Sequence, residues 1–223
     1  LFLPWLIKAA VFISPKEDKE TDDLRLPNFD HRFLDTPIAA LTNAKSEIIR
    51  MSDVAMTMLT STIEAFQKKD AKQLSKWRRY EDHLDATQKE ITTYLTRIYQ
   101  SDLNQSEAKE VSSMMRMTNN IERIGDSIEN IALMIEDIIE NKTDFSPKAV
   151  SDIKEISGQV AEFIMLVQNG MKSDQAQFMK QAQILEDNID FMREEMRQNH
   201  IERLRSGACA NEPGLMFSDM LSN

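Results

Sequence analysis

Met114, Met117, Ile121, Ile124, Ile128, Ile131, Ile135 and Ile138 follow one another at alternating steps of three and four positions. Apolar side chains at that interval return to one side of an α-helix, and a ladder this long requires partner helices to cover it. Two other stretches repeat the pattern. Leu41, Ile48, Met51, Ala55, Leu59 and Ile63 mark one. Leu74, Trp77, Leu84, Ile91, Leu95 and Ile98 mark the other, with Glu81 and Gln88 standing where a regular heptad calls for an apolar residue. Only five glycines and six prolines interrupt the 223 residues, and the fourteen methionines read as adaptable core filler. The chain is expected to be all-α and built of helical bundles.

Local signals place the helix ends. Thr36 and Pro37 suit the N-cap and first position of a helix running to about Lys68. A break near Asp70 precedes a second helix, from about Ala71 to Leu103. Asn104 and Glu107 form a capping pattern for a third helix that ends near Asn141. Ser146 and Pro147 open a fourth, to about Lys172, and a fifth runs from about Asp174 to Arg205. "SGACANEPG" reads as a loop before a final segment ending at Asn223. Long helices with short joins make antiparallel neighbours.

"EDHLDATQKEI" (Glu81–Ile91) returns as "EDNIDFMREEM" (Glu186–Met196), an offset of 105 positions (186 minus 81). A unit of that size is a three-helix module. The expected organisation is two tandem antiparallel three-helix bundles, residues 37–143 and 144–223, the second truncated. By the same offset Met216–Asn223 takes the place of Val111–Thr118, so the native chain is expected to continue. Residues 15–36 read as a polar linker. Before it, "LFLPWLIKAAVFI" has thirteen residues, short of the roughly 20 that span a bilayer, and lacks the layout of a signal peptide. It is the end of a transmembrane helix, an amphipathic segment on a membrane or partner, or a terminal core helix.

The formal charge of −10 argues against a nucleic-acid partner. Cys209 is alone, which excludes an internal disulfide framework and fits a reducing compartment. Within that acidic background three pairs stand out at i and i+4: Glu81 with Asp85, Glu122 with Asp126, and Glu186 with Asp190. A like-charge pair costs a few tenths of a kcal/mol, and a mid-helix glycine such as Gly125 up to about 1 kcal/mol. Stepping 100° per residue from the isoleucine ladder puts Glu122, Asp126 and Glu129 on the opposite side of their helix. There the glycine would let something approach and the acids would attract something positive. Hard metal ions take carboxylate oxygens in this way. The plainer reading is a solvated acidic face. No Glu-x-x-His motif, phosphate loop or nucleophile elbow accompanies the acids, so no enzymatic activity is expected. His83 and His200 read as surface residues. "KWRR" (Lys76–Arg79) reads as a solvated face around one core tryptophan.

"NIERIGDSIENIA" resembles the signature of the PhoU family, which Ile121, Glu122, Arg123, Ile124, Gly125, Asp126, Asn130 and Ile131 match in order. The repeated "ED-x-(L/I)-D" and the duplicated three-helix module resemble that family too, over about Pro37 to Asn223. The flanks, with "FDHRFLDTPIAALTNAKSEIIRMSDVAMTML" after a charged linker, are similar to bacterial Na/Pi cotransporter proteins. In those a PhoU-like domain follows the transporter on the cytosolic side. The resemblance implies iron or zinc clusters. The first would use Glu81, Asp85, Glu122 and Asp126; the second would use Glu186 and Asp190, with further ligands past Asn223. Asn119 and Asn120 stand where the family often has Asp or Glu, a departure that bears on how many metal ions the cluster would hold. The resemblance further implies regulation of phosphate uptake at the cytoplasmic face of a bacterial inner membrane. The partners would be the transporter portion of the same chain, a second copy, or a regulatory protein. The alternative is a metal-free helical scaffold in phosphate signalling.

Overall fold

A computed structural model of the chain describes residues 24–30, 33–34, 36–172, 177–205 and 211–222. The first expected segment, 1–14, and most of the linker lie outside these residues, as do His31 and Cys209. Seven helices and no strand occur among them: α1 (Pro37–Lys68), α2 (Ala71–Leu74), α3 (Trp77–Tyr99), α4 (Gln105–Glu140), α5 (Pro147–Lys172), α6 (Gln177–Arg205) and α7 (Asn211–Met220). The all-α bundle architecture is as expected.

Helix ends follow local chemistry. Pro37 opens α1 behind Thr36, but the threonine side chain makes no capping bond. Lys69 turns left-handed (φ 51°), and Asp70 restarts the chain by accepting from the Gln73 N–H. What reads as one long second helix is interrupted at Ser75 and Lys76, so a single-turn α2 precedes α3. The α4 capping box is complete. Asn104 accepts from the Ser106 and Glu107 amides, and Glu107 accepts from the Asn104 amide at 2.9 Å.

Helices α1, α3 and α4 pack pairwise into a closed three-helix bundle. Trp77 at the start of α3 donates to Glu136 at the end of α4, and Gln88 to Asn119 nearer its start, so these two helices are antiparallel. Leu41, Ile48, Met51, Ala55, Leu59 and Ile63 are all buried on α1. The second half adds α5 along α1, α6 along α5, and α7 against α6 with a lighter contact to α4. One polar bolt joins the halves: the buried Gln168 amide of α5 donates to Ser52 Oγ (2.7 Å) and Asp53 Oδ1 (2.8 Å) of α1.

The isoleucine ladder of α4 divides between a packed side and a cavity. The buried line is Val111, Met114, Thr118, Gly125, Ile128, Ala132, Ile135 and Ile138. Ile124 and Ile131 are half-buried and look toward Ile153, Ile156 and Val160 of α5. A helix packed on one side and lining a cavity on the next shows an apolar stripe wider than the packed contact alone, and the larger side chains drew the sequence-based seam toward its edge.

Candidate functional site

Gly125 sets the geometry of the α3–α4 contact. A Cβ there would stand 2.8 Å from Leu84 Cδ1, so the end of the leucine side chain would have to shift to admit it. The group that comes close to the glycine is therefore the buried Leu84 of α3. Close approach brings the flanks of the two helices together. Glu122 and Glu129 are half-buried at the edge of this contact, with Asp126 exposed beside them. They border the interface instead of lying opposite the seam, because the true seam runs through Gly125 itself.

Two i, i+4 pairs consequently face each other across one groove. Single carboxylate oxygens of Glu81, Asp85 and Asp126 all lie within 4.8 Å of one another. Glu122 sits near enough to feel both Asp126 and Asp85. Burial, then the negative charges of Asp85, Glu129, Asp82 and Asp126, push the Glu81 carboxyl up to about 7. Burial and then Asp126 and Asp85 raise Glu122 as well, against a smaller opposing pull from Arg123. The protein thus maintains a groove where negative charge is unwelcome, and a cation would relieve it.

The donor set is all oxygen. Carboxylates suit hard ions such as magnesium, calcium or manganese, and they hold iron in carboxylate bundles. Zinc prefers nitrogen or sulfur donors, and neither described histidine reaches the groove. His83 is 7% exposed and shares a contact of 3.3 Å with Thr87. His200 is 1% exposed and lies against Phe217 of α7. Both are interior residues, contrary to the sequence reading; each imidazole fills a helix contact whose partner the local pattern does not reveal.

The repeat pair is placed differently. Glu186 and Asp190 are exposed on α6. Asp190 pairs with Arg193 at 3.0 Å, and among the described residues no third ligand joins them. "KWRR" also departs from expectation in part. Trp77 is core, but Arg78 holds Glu136 through two nitrogens at 2.7 and 2.8 Å and covers the Trp77 ring at 4.5 Å.

Residues 48–135 match the family model described as PhoU domain. This stretch is similar to a PhoU domain. It spans most of α1, all of α3 and most of α4, and so contains the groove but not Glu186 or Asp190. Relatives extend the PhoU likeness. The "Putative inorganic phosphate export protein YjbB" of Escherichia coli K12 is 27% identical over 140 residues, 61% of this chain and 26% of that protein. The Salmonella typhimurium protein of the same name is 22% identical over 85% of this chain and 35% of its own length. The "Phosphate-specific transport system accessory protein PhoU homolog 1" of Thermotoga maritima is 23% identical over 79% of this chain and 76% of its own. The chain thus covers about a quarter of the length of the YjbB protein from Escherichia coli. No solved structure gives a significant match. Among the described residues no helix is long and apolar enough to cross a membrane.

Proposed function

We propose that this chain is a regulatory part of a phosphate transport system, and that the α3–α4 groove of its PhoU-like domain binds a metal cation that sets the regulatory state. The observation that carries the reading is the meeting of Glu81, Asp85 and Asp126 within 4.8 Å, inside the stretch that matches the family. Glu122 completes the ligand set from the same face. Iron is the transition metal that best suits these oxygens. The apolar Leu1–Ile13 segment supports attachment to a transporter at the inner face of a bacterial membrane, with the domain on the cytoplasmic side. Relatives are named for phosphate export and for phosphate-specific transport, so the proposal concerns phosphate movement and leaves its direction open.

Isothermal titration of the purified chain with manganese, ferrous iron and zinc tests this. The E81Q/D126N variant should bind at least tenfold more weakly with an unchanged circular dichroism spectrum. Equal affinity in variant and wild type would remove the groove as the site. A metal-free docking module is the second reading, favoured by the exposed apolar side chains Met179 (66%), Ile184 (53%) and Phe191 (70%) on α6. Absence of binding by every metal, together with a dimer lost on F191S, would support it.

A further inference from the structure

Acids on both sides of the α3–α4 groove work against its narrowness. Glu81 and Asp85 of α3 meet Asp126 of α4, with Glu122 and Glu129 close by, and like charges across a gap push two helices apart. The Leu84–Gly125 contact resists this in the middle. A second grip lies one turn before Glu81. The Arg78 guanidinium donates from its two terminal nitrogens to the two carboxylate oxygens of Glu136, at 2.7 and 2.8 Å. Trp77 Nε1 donates to the same carboxylate at 3.2 Å, and Arg78 covers the Trp77 ring at 4.5 Å. Trp77 is 4% exposed, so the grip is seated in the core.

A bidentate guanidinium–carboxylate pair fixes angle as well as distance, and its charges roughly double the strength of each bond. At the opposite end of the groove Gln88 donates to Asn119 through one exposed, neutral bond of 3.0 Å. The firmer polar hold is therefore the one beside Glu81. Arg78 foremost, with Trp77 adding to it, keeps the Glu136 carboxyl below the usual carboxylate range, so the pair stays ionised near neutral pH. The Arg78 charge is in turn stabilised by Glu136 foremost and by Glu129 of the groove at longer range. A cation within reach of Glu129 repels a second cation entering the groove. The grip on Glu136 acts the other way, by keeping the ligands together. The two effects of Arg78 on cation binding thus have opposite signs, and measurement can separate them.

We propose that Arg78, acting through Glu136 and Trp77, is a positioning residue for the groove: it holds α3 and α4 at the separation at which Glu81, Asp85 and Asp126 converge on one cation. The inference rests on the cation-binding reading of that groove. Arg78 touches no ion itself. A preset separation spares the ion the cost of gathering two helices that repel each other. It also discriminates among ions, because selectivity between hard cations follows the size and rigidity of the ligand cage.

Manganese binding to the full chain, followed by the electron paramagnetic resonance of the free ion, tests this, with calcium and magnesium measured by displacement. Arg78→Gln should weaken manganese binding about tenfold, although it removes a positive charge from the neighbourhood. It should also move the calcium-to-magnesium affinity ratio about threefold toward calcium, since a looser groove suits the larger and less exacting ion. Glu136→Gln should do the same. Arg78→Lys keeps the charge but not the paired bonds, and should fall between wild type and Arg78→Gln. Manganese binding that is unchanged or tighter in Arg78→Gln would show that Arg78 acts by charge alone; the inference would fall and the groove would remain the site. Equal losses for calcium and magnesium would mark a general loosening of the fold and would overturn it too. A wild type that binds none of the three ions removes the cation-binding reading itself, and the inference with it.

Discussion

Replacing Glu81 by Gln should make the protein more stable at pH 8 and leave it nearly unchanged at pH 4. The Glu81 carboxyl rises from 4.5 to about 7 on folding, first through burial and then through Asp85, Glu129, Asp82 and Asp126. At 1.36 kcal/mol per pH unit that displacement corresponds to about 3 kcal/mol, and solvent screening at a half-exposed site reduces it to about 1–2 kcal/mol. Below pH 4.5 the carboxyl is protonated in both folded and unfolded chains and costs nothing. Between 4.5 and 7 the folded chain keeps a proton that the unfolded chain has lost, so wild-type stability falls as pH rises. Above 7 both are ionised and the full cost applies. Glutamine carries no charge and escapes it. Urea unfolding followed by circular dichroism at pH 4, 6 and 8 measures the gap between the two proteins, which should open across that window. A gap independent of pH would show that Glu81 is not held uncharged by its neighbours, and the electrostatic account of the groove would fail. Saturating manganese adds a second reading. Cation binding at 100 times Kd stabilises by about 2.7 kcal/mol, so the wild type should gain more than the variant and the gap at pH 8 should close.

Gly125→Ala sets a gain in helix propensity of about 1 kcal/mol against overpacking on Leu84 of about 1–3 kcal/mol. The net should be a loss near 1 kcal/mol, rescued by Leu84→Val in a double-mutant cycle; a gain of the full propensity term would mean the helices are not in close contact there. Gln168→Ala removes the bolt to Ser52 and Asp53. It should cost about 1–2 kcal/mol and raise amide exchange in α5 more than in α3, whereas uniform acceleration would count against two separable halves. Asp152, 2% exposed, pairs with Lys148 at 2.7 Å and Arg203 at 3.7 Å. Asp152→Ala should cost about 2–3 kcal/mol by removing the buried carboxylate that faces Lys148 and Arg203, read as a lower urea midpoint, and an unchanged midpoint would show the pair is solvent-equivalent.

The helices were legible because their causes are local. Asn104 with Glu107, Ser146 with Pro147 and Asp70 each end or start a helix through groups a few residues away. Periodicity likewise found Leu41, Ile48, Met51, Ala55, Leu59 and Ile63 in the core of α1, while Val54, Met58 and Phe66, buried beside them, fell outside the pattern. It did less well on α4, where the packed side and the cavity side merge into one broad stripe. His83 and His200 escaped for a related reason. A buried imidazole carries no periodic signal, and its partners come from other helices or from a distant part of the chain. The break at Ser75 and Lys76 is invisible to spacing because both residues remain in right-handed helical conformation.

The acidic spacing by itself determined that Glu81 and Asp85 share one helical face and Glu122 and Asp126 another, because 3.6 residues per turn allow nothing else. Only the tertiary structure decided that these two faces meet while Glu186 and Asp190 stay in solvent. That choice depends on the missing Cβ of Gly125, which lets Leu84 close the gap between α3 and α4. A helix's own sequence sets its faces, but the distance to its neighbour is set by the side chains of both.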